Sequence, residues 1–274
     1  MSERAILVTG STDGIGRQTA RTLAAGGASV IVHGRSKPTV DATLAALREE
    51  LPGATLAGIA FDLGNLASVR RGAEELLATT PALHALVNNA GIFARERVLT
   101  ADGIELTFAV NCVGPFLLTE LLVPRLLASS GDGASRVINV SSMAHTRGAV
   151  KPDDLQHTAG WTGYSAYANS KAVNIVHALA LADRHDPARL VAYSLHPGVI
   201  QTKLLREGFG PIRGASLEAG ARSSVRLAAG DAANDGEPSG SYFVDGVATP
   251  PAAAVRDPAI RTAVWDGLAR LAKL

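Results

Sequence analysis

Strong constraint on the fold comes from an alternation that runs the length of the chain. Short apolar runs at residues 5–8, 29–33, 55–61, 83–87, 136–140, 190–195 and 241–244 are bounded by glycine, proline, asparagine or aspartate. Between them, apolar residues recur at helical spacing over about 15–25, 40–51, 66–79, 103–128, 163–184, 217–229 and 257–272. Strands separated by helices cannot pair as tight hairpins; the long crossovers make neighbouring strands parallel and put helices on the sheet faces. The 274 residues show no linker, tandem repeat or low-complexity tail. The pattern predicts a single domain over residues 1–274: an α/β, doubly wound parallel sheet of about seven strands in three α/β/α layers.

Composition narrows the partners. The formal net charge is +1 and no basic run stands out, so nucleic acid and an acidic membrane surface are not expected as main partners. The N-terminal segment enters the Ala5–Val8 strand without a leader-like stretch, and no apolar run is expected to span a membrane. Cys112 is the sole cysteine; it excludes an internal disulfide, fits a reducing, cytoplasmic setting, and reads as a packing residue in an apolar helix. The seven histidines show no paired ligand spacing, so no metal site is expected.

Chemistry is suggested at the strand ends. After the first strand comes Thr9-Gly10-Ser11-Thr12-Asp13-Gly14-Ile15-Gly16 and then a helix. A strand, a glycine-rich turn and a helix N-terminus can receive a pyrophosphate, because the backbone approaches closely and offers N–H groups. The spacing is Gly-x-x-x-Gly-x-Gly. The second strand ends His33-Gly34-Arg35-Ser36-Lys37, with two cations and no carboxylate, which favours a ribose 2′-phosphate over a free 2′-hydroxyl. Asn88-Asn89-Ala90-Gly91, Ser141-Ser142 and Pro197-Gly198-Val199-Ile200-Gln201-Thr202 follow later strands. On a parallel sheet all of these ends converge. Tyr167 and Lys171 fall one turn apart on a helix. An ammonium beside a phenol is expected to lower the phenol's pKa and fit it for acid/base work.

Taken together, these motifs resemble the short-chain dehydrogenase/reductase family over essentially the full chain. The matching pieces are Thr9-Gly-x-x-x-Gly-x-Gly16, Asn88-Asn-Ala-Gly91, Asn111, Ser142, Tyr167-x-x-x-Lys171 and Pro197-Gly198. The resemblance implies a Rossmann fold, with Tyr167 as acid/base, Ser142 holding the substrate oxygen, Lys171 binding the nicotinamide ribose and tuning Tyr167, and Asn111 steadying a relay water. Of the adjacent serines, Ser142 is chosen by the family's usual placement and Ser141 stays open. Cofactor contacts are implied from Gly10 to Gly16, at Arg35, at Asp62 and Leu63 beside the adenine, along Asn89, Ala90 and Gly91, and at Pro197, Gly198, Val199 and Thr202. NADP(H) is the preferred cofactor, NAD(H) the alternative. The sequence is most similar to the retinol-dehydrogenase-like group, on Asn111-Cys-Val-Gly-Pro-Phe-Leu-Leu-Thr119, Val140-Ser-Ser-Met-Ala-His145 and Asp154-Leu-Gln156. Relatives commonly pair through the helices carrying Asn111 and Tyr167, so a homodimer or homotetramer is expected.

The connection over residues 143–163 is long for a βα loop, usually about 2–6 residues. It is expected to wall a substrate cleft, through Ala144, Trp161 and Tyr164, and to be removable over 146–160 without loss of folding. Leu204, Leu205 and Phe209 in the segment 199–215 would form the second wall. The function expected is hydride transfer between NADP(H) and a carbonyl or a primary or secondary alcohol of an apolar or aromatic small molecule. Reduction of a carbon–carbon double bond and a non-catalytic dinucleotide-binding regulator are the alternatives. The regulator has no need of asparagine, serine, tyrosine and lysine together.

Overall fold

The computed structural model of the chain describes residues 4–131, 133–230 and 236–274. In sequence, residues 231–239 read as a polar loop containing glycine and proline, and part of it lies outside the described residues. The first half follows the sequence pattern closely: β1 (Ala5–Val8), α1 (Gly14–Ala25), β2 (Ser29–Gly34), α2 (Lys37–Glu50), β3 (Leu56–Ala60), α3 (Leu66–Thr79) and β4 (Ala85–Asn88). Pro38 sits in the first turn of α2, where its missing N–H costs no helical bond.

The long helix expected over 103–128 is less regular. A single turn, α4 (Leu106–Phe108), runs into a π-helical turn at Ala109–Val113 and then α5 (Gly114–Ala128). Among the described residues Leu106–Ala128 is the one helical run apolar enough to cross a membrane, contrary to expectation, with mean hydropathy 1.7. Its apolarity has a structural cause, since 78% of that window is buried in the fold, with Phe108, Val113, Phe116, Leu117 and Leu118 in the core.

Next come β5 (Ser135–Val140), α6 (Gly163–Arg184), β6 (Leu190–His196), α7 (Lys203–Phe209), α8 (Leu217–Ala229), β7 (Tyr242–Val244), β8 (Val247–Ala248), α9 (Ala253–Arg256) and α10 (Pro258–Ala272). Among the described residues the sheet has eight strands rather than seven, in the order β3-β2-β1-β4-β5-β6-β7-β8. Seven are parallel; β8 adds a two-residue antiparallel edge, too short to show as a sequence pattern. Helices pack on both faces, over two apolar clusters. The order reverses between β1 and β4, and a crevice opens beyond the carboxyl ends of the strands at such a point.

Two expectations change here. The connection over 143–163 is not a free wall. It carries short 3₁₀ turns at Met143–Arg147 and Pro152–Asp154, Leu155 is 5% exposed within the core, and its carbonyl accepts from Asn169 Nδ2 at 2.7 Å. Gln156 Oε1 accepts from Glu105 N at 2.8 Å, and Gly148 packs on the Ala168 backbone without room for a Cβ. Removing 146–160 would take out a core side chain and these tethers, so the fold would not survive it intact. Second, α10 lies across α5 and α6. Val264 and Leu268 are buried there, and Trp265 meets Phe116 edge-on at 4.9 Å while Arg184 stacks on it at 3.9 Å. The α10 helix thus covers part of α5 and α6, the helices expected to pair.

Candidate active site

The glycine loop is pressed against the end of β4. Gly10 and Gly14 take φ values of 62° and 56°, the left-handed region that glycine enters without strain. A Cβ at Gly10 would lie 2.9 Å from Ala90 Cα, and one at Gly16 would run into the Gly10 carbonyl and the Asn89 amide. Thr9 Oγ1 donates to Val87 O (3.2 Å) and accepts from Asn89 N (3.0 Å) and Ala90 N (3.1 Å). Asn89, expected to line the cleft, instead turns its amide nitrogen onto Thr9 O (2.8 Å) and Gly10 O (3.3 Å).

Ser11 is also an internal brace. It is fully buried; its hydroxyl donates to Val8 O (2.7 Å) and accepts from His33 N (2.9 Å), and its N–H donates to His33 O (2.9 Å). Thr12, Asp13, Gly14 and Ile15 are the half-buried or exposed residues of the loop, and Asp13 caps α1 through Gly14 N at 2.7 Å. Thr202 Cγ2 would lie 3.8 Å from a Cβ on Gly14, so the segment after β6 that carries Pro197, Gly198 and Val199 reaches this loop at Thr202.

At the end of β2, Lys37 is tied to Asp41 at 2.8 Å. Arg35 is exposed and makes no hydrogen bond or ion pair among the described residues. Asp62 Oδ1 accepts from Gly64 N at 2.8 Å. The Leu63 side chain is 4% exposed in the core, which leaves its backbone alone to meet a ligand.

Across the crevice, α6 opens with a capping box. Thr162 Oγ1 accepts from Ser165 N (3.0 Å), and Ser165 Oγ accepts from Thr162 N (2.9 Å). This places Tyr167 and Lys171 on the buried face, 6% and 4% exposed. Lys171 Nζ donates to Val140 O at 2.9 Å and lies 5.5 Å from the Tyr167 ring centroid. The two serines separate clearly. Ser141 Oγ donates to Lys171 O at 2.6 Å, turned into the helix, whereas the Ser142 hydroxyl lies beside the Tyr167 phenol and caps the turn carrying Ala144 through its N–H at 3.2 Å.

The expected electrostatics are reversed in the folded protein. Burial pushes the Tyr167 phenol up to about 12, with the Ser142 hydroxyl pulling the other way. Burial likewise brings the Lys171 ammonium down to about 8. Desolvation disfavours both charged forms and is the largest cause of each shift. The Asn111 amide is already engaged: Oδ1 accepts from Ile92 N (2.8 Å), and Nδ2 donates to Ile92 O (3.0 Å) and Ser170 Oγ (3.0 Å). Both amide hydrogens are used in fastening the segment after β4 to α6, which leaves the second lone pair of Oδ1 as the side chain's free position. Asn111 lies in the π-helical turn, a distortion frequent at functional sites. Cys112 is buried, donates to Ser170 O at 3.4 Å and has its pKa pushed up by burial, as suits a packing residue.

Sequence reasoning missed Phe93. Its ring lies 5.6 Å from Tyr167 and 5.4 Å from Phe209, and Phe209 in turn lies 5.6 Å from Tyr167 and 6.1 Å from Tyr164. Phe93 and Phe209 thus flank the Tyr167 ring, and Tyr164 joins the group through Phe209. A Cβ on Gly208 would lie 2.9 Å from Phe93 Cγ and one on Gly163 3.0 Å from its Cε1, so two glycines make room for this ring. Nothing in local spacing connects them. Of the other proposed substrate contacts, Leu205 is buried and Leu204 half-buried on α7. Trp161 is half-buried with its indole Nε1 unpartnered, and it makes no ring contact with the aromatic group.

Residues 4–209, which carry the glycine loop, Ser142, Tyr167 and Lys171, match the family model described as short chain dehydrogenase. The chain belongs to the short-chain dehydrogenase family. It is 35% identical to mouse retinol dehydrogenase 12 over 252 residues, which is 88% of this chain and 78% of that protein. It is 36% identical to mouse polyprenol dehydrogenase over 281 residues, covering 97% and 83% respectively. A short-chain dehydrogenase from Escherichia coli solved in complex with NADPH superposes with a TM-score of 0.74 at 25% identity, over 90% of this chain and 98% of the other. As a short-chain dehydrogenase close to the retinol dehydrogenase group, the protein is an oxidoreductase acting on CH–OH and C=O groups and using a nicotinamide dinucleotide.

Proposed function

We propose that this short-chain dehydrogenase uses NADP(H) to interconvert a carbonyl with a primary or secondary alcohol on an apolar or aromatic small molecule, with Tyr167 as its acid/base. The observation that carries the reading is the Tyr167 phenol, set among Phe93, Tyr164 and Phe209 beside Ser142 and Lys171. Aromatic surroundings suit an apolar substrate, and the matched relatives are named for retinol and polyprenol, both apolar alcohols.

The glycine loop fits a dinucleotide, because Gly10 and Gly16 leave no volume for a Cβ and bring the backbone to the crevice floor. Thr12 to Gly16 would hold the pyrophosphate, Arg35 the 2′-phosphate, and Lys171 the nicotinamide ribose. Bound there, the nicotinamide ring supplies or accepts the hydride. Tyr167 holds its proton at Oη, since burial keeps the phenol protonated at neutral pH, and can give it to a carbonyl oxygen. Ser142 Oγ orients that oxygen, and Phe93 and Phe209 exclude water from it.

The preference for the 2′-phosphate rests on Arg35, the unpaired cation at the end of β2, since a guanidinium grips phosphate through charge-assisted hydrogen bonds. Arg35→Ala is expected to weaken NADP(H) about tenfold or more while leaving NAD(H) nearly unchanged; Kd values for both cofactors check this, and equal binding of the two by the unmodified protein would remove the assignment. The wider reading is tested by a panel of apolar ketones, aldehydes, alcohols and enones followed by NADPH absorbance. Turnover of carbonyls and alcohols supports it. Turnover of enones alone supports double-bond reduction, in which the same phenol would protonate carbon. No turnover of any compound, with tight NADPH binding retained, supports a regulator. A reducing cytoplasm, with the lone cysteine buried, completes the reading.

A further inference from the structure

His33 closes β2, and its imidazole is 3% exposed. The Gly10 N–H points at Nδ1 from 3.0 Å. A backbone N–H can only donate, so Nδ1 must be bare. Nε2 lies 3.1 Å from the Phe61 carbonyl, which can only accept, so Nε2 must carry the hydrogen. One neutral tautomer satisfies both contacts; an imidazolium would set two N–H groups head to head at Gly10. The ring also rests on Phe61, 4.1 Å between centroids. Burial holds the imidazole down at about 4, against the smaller opposing pulls of the Phe61 carbonyl and then Asp62, which keeps the ring neutral through the assay range.

Gly10 is the pivot of the loop, at φ 62°. Its N–H is held by His33 and its carbonyl by Asn89 Nδ2 at 3.3 Å. Its freedom to swing is therefore removed from both sides, and a glycine has more such freedom to lose than any other residue. The path of Thr12 to Gly16 starts from this pivot. Arg35 lies two residues beyond His33, so one ring ties the loop that would meet the pyrophosphate to the strand end that would meet the 2′-phosphate.

We propose that His33 is a positioning residue for the dinucleotide: its bare Nδ1 locks the Gly10 N–H, and so fixes the phosphate loop against the end of β2 before the cofactor arrives. This rests on the dinucleotide reading of the loop. His33 does not itself touch the cofactor; it spares binding the ordering of a flexible loop.

The test separates the two ring nitrogens. His33→Asn places an amide oxygen where Nδ1 stands and keeps the acceptor for Gly10. His33→Gln places an amide nitrogen where Nε2 stands and keeps the donor to Phe61, with nothing facing Gly10. His33→Leu keeps neither. The glutamine and leucine variants should bind NADPH about tenfold more weakly, the loss of one hydrogen bond to a buried N–H. KM for NADPH should rise with them, kcat at saturating NADPH should hold, and the asparagine variant should recover most of the affinity. Equal weakening in all three, or a glutamine variant as tight as the asparagine one, overturns the proposal. A measurement on the unmodified protein covers variants that fail to fold. In ¹⁵N-histidine NMR at neutral pH, His33 should show a protonated Nε2 and a bare Nδ1, and the opposite tautomer overturns the proposal equally. If the unmodified protein bound neither NADPH nor NADH, the dinucleotide reading would fail on its own, whatever the tautomer.

Discussion

Tyr167→Phe should bind NADP(H) as the unmodified protein does and turn over about 10²–10⁴-fold more slowly, the range of a lost general acid. The substitution removes one oxygen and keeps the ring, so the contacts at 5.6 Å to Phe93 and to Phe209 survive and the site keeps its shape. The groups proposed to hold the dinucleotide, from Thr12 to Gly16 and Arg35, lie elsewhere in the crevice. The effect should therefore appear in kcat and kcat/KM together, with KM for the dinucleotide steady, the pattern of an interaction made only in the transition state. Tyr164→Phe is the control. Tyr164 is 38% exposed, and its ring meets the aromatic group through Phe209, so losing its hydroxyl is expected to leave turnover near normal. Near-normal turnover in Tyr167→Phe, with a loss in Tyr164→Phe, would reassign the acid.

What could be read in the sequence is what periodicity and turn chemistry write locally. Helices over 66–79, 163–184 and 217–229 are found where apolar spacing puts them, because a 3.6-residue stripe must face the sheet. The convergence of Gly10–Gly16, Asn88–Gly91, Ser142 and Pro197–Thr202 follows from parallel strands alone. What could not be read depends on partners far apart in the chain. Ser11 and Asn89 look like cleft residues by position, yet both are drawn inward by bonds to His33 and to the loop backbone. Leu155 looks like a surface apolar group on a long loop, yet it fills space over Gly267. Phe93 and His33 carry no motif at all. Tyr167 and Lys171 show the same limit in electrostatics. Their spacing gives the attraction between them, but the larger effect is the burial of both, which only the assembled fold reveals.

That burial gives Lys171 opposite effects on stability and on activity. Its pKa is brought from 10.5 down to about 8 by desolvation. Between those values the unfolded chain binds more protons than the folded one, so the unfolding free energy rises with pH across that window and the cost of burying the ammonium is fully present below it. Lys171→Met keeps the length of the side chain and removes the charge. The Val140 carbonyl loses its 2.9 Å donor but keeps the Asn174 Nδ2 at 3.4 Å. The ligand-free variant should therefore be more stable at neutral pH by about 1–3 kcal/mol, a rise of roughly 2–4 °C in Tm for each of these in a chain this size. The gain should shrink as pH rises from about 8 toward 10.5, because the unmodified protein sheds its cost there. Turnover should move the other way. With Nζ 5.5 Å from the Tyr167 ring centroid, a unit charge at about that range is worth about 3 kcal/mol at an effective dielectric of about 20, close to two orders of magnitude in favour of the phenolate that proton donation leaves behind. Lys171→Met should lose about 10²-fold in kcat on that ground, and NADP(H) affinity besides if Lys171 holds the ribose. Thermal melts across pH 6–11 and steady-state kinetics on the same preparation test both halves. A less stable variant would mean that Lys171 is held by more than the Val140 carbonyl, and unchanged turnover would mean that its charge is not used by Tyr167.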